Sequence, residues 1–154
     1  MTNDKLKIVG VIGGSSCSRK VYAVARRLGE LLAEEGFVVV CGGLGGVMKA
    51  VCEGAYLKGG LTIGILPGKD RNEANPFVKI PITTAMSHAR NAIIVRTADV
   101  IIAVDGKYGT LSEIGLALSI DKKVISLEQT WNIRGLIKAK TPQEAVELAK
   151  KYTR

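Results

Sequence analysis

The sequence predicts an α/β fold of three layers, a mainly parallel sheet of about six to seven strands between two sets of helices. Three observations predict it. Short β-branched apolar runs alternate with longer amphipathic segments along all 154 residues. The short runs are apolar throughout instead of alternating, as strands covered on both faces require. Hydrophobic residues make up 47% of the chain but aromatics only 5%, so the core must be built from Val, Ile, Leu and Ala. A chain of this length fits one domain spanning residues 1–154, with a core that needs neither disulfides nor metals.

Leu6 to Ile12 reads as a buried first strand, broken by Gly13-Gly14-Ser15-Ser16. Ser18 is placed to cap a helix running to about Glu35, with Val21, Val24, Ala25, Leu28, Leu31 and Leu32 on one face and Gly36 as its stop. Phe37 to Val40 is the second strand. Gly42-Gly43-Leu44-Gly45-Gly46 leads into a helix from about Val47 to Lys58, and Leu61 to Leu66 is the third strand. Pro67 to Pro76 is a polar loop. Phe77 to Ile82 reads as a short strand, which Pro81 assigns to an edge. Ser87 is expected to cap a helix over about His88 to Thr97. Val100 to Val104 is a buried strand, and Thr110 opens a helix to about Ile120. Lys123 to Leu127 is the next strand, and the stretch from Trp131 to Lys140 has room for a last short one. Thr141-Pro142-Gln143-Glu144 combines a cap, a proline at the first helical position and a glutamate three after the cap, so it starts the final helix. Alternating strands and helices with right-handed crossovers make a Rossmann-like arrangement.

The formal net charge is +8, yet no run of Lys or Arg exceeds two, as in Arg26-Arg27, Lys122-Lys123 and Lys150-Lys151. These charges read as a solvated surface. Two Phe, four Tyr and one Trp are a thin supply for stacking on bases, which argues against nucleic acid as a partner. Cys17, Cys41 and Cys52 are odd in number and form no Cys-x-x-Cys, and the chain begins with a polar segment, which points to a reducing cytoplasm. Cys17 and Cys41, at the ligand edge of neighbouring strands, read as small buried hydrophobes, with metal or redox use as the alternative. No apolar stretch is long enough to span a membrane.

Parallel sheets bind ligands beyond the carboxyl ends of their strands. Three glycine-rich turns fall at that edge: Gly13-Gly14-Ser15-Ser16, Gly42 to Gly46, and Gly106 to Thr110. Each precedes a helix, whose free N–H groups and partial positive charge attract phosphate. A dinucleotide site fits poorly. Gly10, Gly13 and Gly14 do not have the Gly-x-Gly-x-x-Gly spacing, and the second strand ends in Cys41-Gly42-Gly43 where a ribose-binding acid would stand. The phosphate-binding lysine motif of nucleoside triphosphatases is absent as well. The turns suit one phosphate.

In this order the turns resemble the LONELY GUY family and its wider superfamily, long labelled as possible lysine decarboxylases. Gly42-Gly43-Leu44-Gly45-Gly46-Val47-Met48 resembles the family's Gly-Gly-x-x-Gly-Leu-Met element. Gly64-Ile65-Leu66-Pro67 is similar to the end of its following strand, and Ser87-His88-Ala89-Arg90-Asn91 to its arginine helix. Asp105-Gly106-Lys107-Tyr108-Gly109-Thr110-Leu111-Ser112-Glu113 resembles its Pro-Gly-Gly-x-Gly-Thr-x-x-Glu motif. The resemblance implies a site for a nucleoside 5′-monophosphate, cleaved in active members between base and ribose 5-phosphate. Arg90 and Glu113 match the essential arginine and glutamate. The implied ligand contacts are Gly13, Gly14, Ser15, Gly42, Gly43, Gly46, Met48, Arg90, Asn91, Gly106, Lys107, Tyr108, Gly109 and Thr110. Val104-Asp105 replaces Pro-Gly, and Asn91 stands where cytokinin-activating members carry Lys. With Ala98-Asp99-Val100, these features look more like a sister branch of molybdenum-cofactor carriers, which hold a phosphorylated pterin without transforming it. The expected ligand is thus an AMP-like nucleotide or the molybdenum cofactor, with no required cofactor. The resemblance further implies a homodimer or homotetramer.

Two residues carry competing readings. Glu113 can stabilise an oxocarbenium-like sugar and activate water. Thr110-Leu111-Ser112-Glu113 is also a capping box, in which Glu113 bonds back to the helix start. Arg90 falls in the first turn of its helix, where a cation opposes the dipole. Either an anionic ligand or a salt bridge to Glu113 would compensate it. His88 reads as structural or exposed, Lys107 as a solvated tip, and Asp105 as a turn former or a ribose contact. Trp131 reads as core or as a contact to a second subunit.

Overall fold

The computed structural model describes residues 4–128 and 131–154. Seven strands form one parallel sheet in the order β4-β3-β2-β1-β5-β6-β7. They are β1 (Ile8–Gly13), β2 (Val38–Cys41), β3 (Thr62–Leu66), β4 (Ile80–Thr83), β5 (Val100–Val104), β6 (Val124–Leu127) and β7 (Leu136–Ala139). Helices α1 (Arg19–Glu34), α2 (Val47–Leu57) and α5 (Pro142–Tyr152) pack on one face, and α3 (Asn91–Thr97) and α4 (Tyr108–Ser119) on the other. This is the three-layer α/β/α, Rossmann-like arrangement. Central strands β2 and β5 are buried at every residue, as a sheet covered on both sides demands. Among the described residues, no helix is long and apolar enough to cross a membrane.

The chain starts in the middle of the sheet. It steps outward through β2 and β3 to β4, then returns to the other side of β1 as β5. Pro81 does lie in an edge strand, where its missing N–H removes no essential ladder bond. Strand β4 is shorter than its apolar run. Asn75 turns the chain first, its Oδ1 accepting from the Phe77 N–H at 3.0 Å.

Caps decide two helix starts as the sequence indicates. Ser18 Oγ accepts the Val21 N–H at 3.1 Å, and Thr141 Oγ1 accepts the Glu144 N–H at 3.1 Å with Pro142 behind it. Two other starts differ. Ser87 has φ 52, a left-handed conformation, whereas a capping residue needs an extended backbone. It instead opens a 3-10 turn over Ser87–Arg90, and the α-helix proper begins at Asn91. Helix α4 starts at Tyr108, two residues before Thr110, with Lys107 as its cap residue.

Helices α1 and α2 touch backbone to backbone. A Cβ on Gly54 would lie 1.9 Å from the Arg26 carbonyl oxygen, and one on Gly29 would lie 2.1 Å from that of Val51. No side-chain adjustment relieves a clash with backbone. Gly54→Ala is therefore expected to lose about 1–3 kcal/mol or more by overpacking, although alanine favours helix by about 1 kcal/mol over glycine. Gly115 sits on the exposed side of α4 with open space around its Cα. Gly115→Ala should gain roughly 0.5–1 kcal/mol. Urea midpoints shifting in opposite directions would bear this out, and midpoints shifting together would contradict it.

Candidate functional site

Return of the chain to β5 beside β1 sends α1 and α4 to opposite faces, so the ends of these two strands open a crevice. A cavity of about 420 Å³ lies there. Its walls come from the turn after β1, the turn after β2, the turn after β5, the start of α3 and the first half of α4. Gly13, Gly14, Ser15, Gly42, Met48, Arg90, Asn91, Gly106, Lys107, Gly109, Thr110 and Glu113 all line it. These residues span a hundred positions of sequence and meet because three parallel strands end side by side.

Three other expected contacts stand off the wall. Gly43 turns toward Leu66 and Gly64, and Gly46 presses on the backbone of Gly14 and Ser15 as the cap residue of α2. Tyr108 points into solvent and is 86% exposed. Residues outside the expected contact set also line the cavity. His88 and Asp105 contribute polar groups, and Val11, Ile12, Leu44 and Ile94 an apolar side. Asp105 holds φ 49, an uncommon conformation for a non-glycine residue.

Helix ends around the cavity differ from those elsewhere. Helices α2 and α4 have no side-chain cap, whereas α1 and α5 are capped by Ser18 and Thr141. The Val47 N–H of α2 is instead taken by the Gly14 carbonyl at 3.0 Å, which ties the first two turns together. An uncapped helix start directed at a cavity offers amide donors and the positive end of the dipole.

Arg90 is buried, with 7% of its surface exposed. Its Nε donates to the Ile65 carbonyl at 2.8 Å, and its Nη1 donates to Asn91 Oδ1. Its Nη2 packs over Gly42, where a Cβ would come within 2.6 Å of it. Burial pulls the guanidinium below its ordinary range, while Glu113 and Cys41 pull it back. It remains a cation, since arginine does not deprotonate in proteins. Its strained approach is built by Ala85 and Ser87, at φ 55 and 52, with the Ala85 and Ser87 N–H groups held by the Gly68 and Pro67 carbonyls.

Glu113 lies inside α4, beyond reach of the helix start, so the capping-box reading does not hold. No ion pair joins it to Arg90 among the described residues, so the salt-bridge reading of Arg90 fails too. Burial pushes its carboxyl up to about 7, with Arg90 acting in the opposite direction. The group is therefore divided between acid and carboxylate near neutral pH.

One residue absent from the sequence reading of the site shapes it from behind. Asn75 donates from Nδ2 to the Leu44 carbonyl at 2.9 Å and to that of Gly43 at 3.3 Å, and its own N–H donates to Gly43 at 2.8 Å. It clasps the turn after β2 from a loop that forms none of the wall. Its sequence signal was only that of a polar loop residue.

The raised carboxyl has a consequence for stability. The folded state holds the Glu113 proton more tightly than the unfolded chain does, whose value is near 4.5. Its contribution is present in full below that value and is lost as pH rises through about 7. Glu113→Gln is neutral at every pH. The unfolding free energy of wild type relative to this variant should fall by on the order of 3 kcal/mol across that window. Denaturant titrations at about pH 4 and about pH 8 check this, and a constant difference would contradict it.

Comparison with known proteins agrees with this architecture. An uncharacterized protein of Archaeoglobus fulgidus is 50% identical over 92% of this chain and 93% of its own length. A probable cytokinin riboside 5′-monophosphate phosphoribohydrolase of Oryza sativa is 34% identical over 73% of this chain, which spans about half (48%) of that relative's length. Among solved structures, the molybdenum cofactor binding protein of Rippkaea orientalis superposes with a TM-score of 0.93 at 35% identity, covering 99% of this chain and 100% of that one. The model of the SLOG cluster4 family matches residues 6–153, and the chain belongs to that family.

Proposed function

We propose that the protein binds a phosphate-bearing small molecule in the crevice between β1 and β5 and holds it as a carrier does. The observation that carries this reading is convergence. Three glycine-rich turns, the uncapped start of α4 and a buried arginine face one cavity. Backbone amides of Gly13, Gly14, Ser15, Gly42, Gly106, Gly109 and Thr110 would supply donors for a single phosphate. Arg90 adds the counter-charge through the Nη2 that its protein bonds leave over, and Asn91 fixes its plane. Val11, Ile12, Leu44, Met48 and Ile94 offer an apolar side for a flat base or pterin. The likeness to a molybdenum cofactor binding protein supports a phosphorylated pterin as cargo. The plant relative supports a nucleoside 5′-monophosphate.

A second reading rests on Glu113. A buried carboxyl that exchanges its proton near neutral pH, beside a cation in the same cavity, suits a general acid or base. In that reading the protein cleaves the N-glycosidic bond of a nucleoside 5′-monophosphate. Arg90 would hold the phosphate-bearing sugar and Glu113 would stabilise the oxocarbenium-like carbon and guide water to it.

Mass spectrometry of small molecules retained through purification separates pterin from nucleotide. AMP or a phosphorylated pterin should raise thermal stability, by about 2.7 kcal/mol at a hundredfold excess over Kd. Gly42→Ala should remove most of that gain, because its Cβ meets Arg90 Nη2 at 2.6 Å and Met48 Sδ at 2.7 Å. No gain with any monophosphate or phosphorylated pterin at millimolar concentration refutes the binding reading. For the second reading, wild type should release free base from AMP and Glu113→Gln should not. Equal, negligible release from both rules hydrolysis out.

A further inference from the structure

Immediately behind the cavity wall lie two thiols that the binding site does not use. Cys41 ends β2 and Cys52 sits in the middle of α2, both fully buried, with their sulfurs 3.5 Å apart. The Gly43 N–H points at Cys41 Sγ from 3.4 Å, and Cys41 lies within the fields of Arg90 and Glu113. We propose that Cys41 and Cys52 form a peroxide-responsive dithiol, whose disulfide fastens the turn after β2 to α2.

The surroundings assign different roles to the two sulfurs. Contact with the Cys52 thiol, the Gly43 N–H and the charge of Arg90 all lower the Cys41 pKa, against burial and Glu113, which raise it. The same contact and burial push the Cys52 thiol up. Cys41 is thus the attacking thiolate and Cys52 the resolving thiol. Half-buried Cys17 is the natural comparison. Its pKa is raised by burial and by Asp105, so it is the poorer nucleophile despite its greater access.

The chemistry balances with hydrogen peroxide as the oxidant. The Cys41 thiolate attacks one peroxide oxygen; an S–O bond forms, the O–O bond breaks, and the leaving hydroxide takes up the proton that the Cys41 thiol released, giving water. Cys52 sulfur then attacks the sulfenic sulfur of Cys41. An S–S bond forms, the S–O bond breaks, and the Cys52 proton leaves with the hydroxyl as a second water. Two thiols and one peroxide give one disulfide and two waters. Neither sulfur meets solvent, so peroxide must penetrate to the packed pair, and oxidation is slower than at a surface thiol. Bond formation draws the sulfurs from 3.5 Å to about 2.0 Å. The next residue, Gly42, forms cavity wall and packs under Arg90, so the closure tightens the wall itself.

Oxidation of the dithiol is read without any ligand and does not depend on which one the cavity holds. The reduced full-length chain is treated with hydrogen peroxide, denatured, alkylated and weighed intact, then digested. The expected product has lost two hydrogens, accepts alkylation only at Cys17, yields a linked peptide pair joining Cys41 to Cys52, and reverts with dithiothreitol. Amides of Gly42 to Gly45 should exchange several-fold more slowly in the oxidised protein. In Cys52→Ser the resolving step is lost, and a Cys41 sulfenic acid should be trapped by dimedone. Three alkylatable thiols after peroxide, a bridge that involves Cys17, or direct passage of wild-type Cys41 to sulfinic acid would each overturn the proposal. So would unchanged amide exchange in a protein that carries the disulfide.

Discussion

Everything at the cavity depends on one constraint: β1 is flanked by strands whose helices leave on opposite faces. Parallel pairing with β2 on one side and β5 on the other aligns three strand ends. The crossovers then pull α1 and α4 apart, and the space between them cannot be closed by either layer. Each turn at that opening must change direction sharply while offering donors outward. This is why its glycines cluster there, and why non-glycine Asp105 accepts a left-handed conformation.

The second organising interaction is a buried cation held by a carbonyl instead of a carboxylate. Arg90 gives Nε to Ile65 and Nη1 to Asn91, so its directional bonds inside the protein go to neutral acceptors. Its charge is compensated at a distance, by Glu113 and then Cys41. Among the described residues, Glu113 in turn has no direct cationic partner to fix it as a carboxylate, and burial dominates its titration. A tight ion pair here would have quenched both groups. The looser arrangement leaves one with charge to offer and the other with a proton to exchange.

Most of this architecture was legible in the sequence because buried parallel strands and amphipathic helices leave strong periodic signals. Strand Val100–Val104 and the Thr141-Pro142 helix start were readable to the residue. The cavity turns were readable as glycine clusters, and the ordered motifs assembled them at one edge. What failed was local conformation decided by distant contacts. Ser87 looks like a cap, yet its N–H is held by the Pro67 carbonyl in a left-handed turn. Thr110 to Glu113 spells a capping box, yet α4 begins earlier and leaves Glu113 in the helix interior. Gly43 and Gly46 belong to the right turn but face its far side. Asn75 acts across 31 residues of sequence, and no local pattern announces such a bond.

The Asn75 clasp has a further consequence for how this chain can vary. The loop between β3 and β4 lies off the cavity, and by position alone it would tolerate insertion or deletion freely. Its end is instead fastened to the carbonyls of Gly43 and Leu44. A change of length before residue 75 is therefore harmless only if the amide returns to the same two oxygens. Grafting or trimming this loop would alter cavity shape without touching any residue that lines it. Drift in loop length is thus a route by which relatives with identical wall residues would come to prefer different ligands.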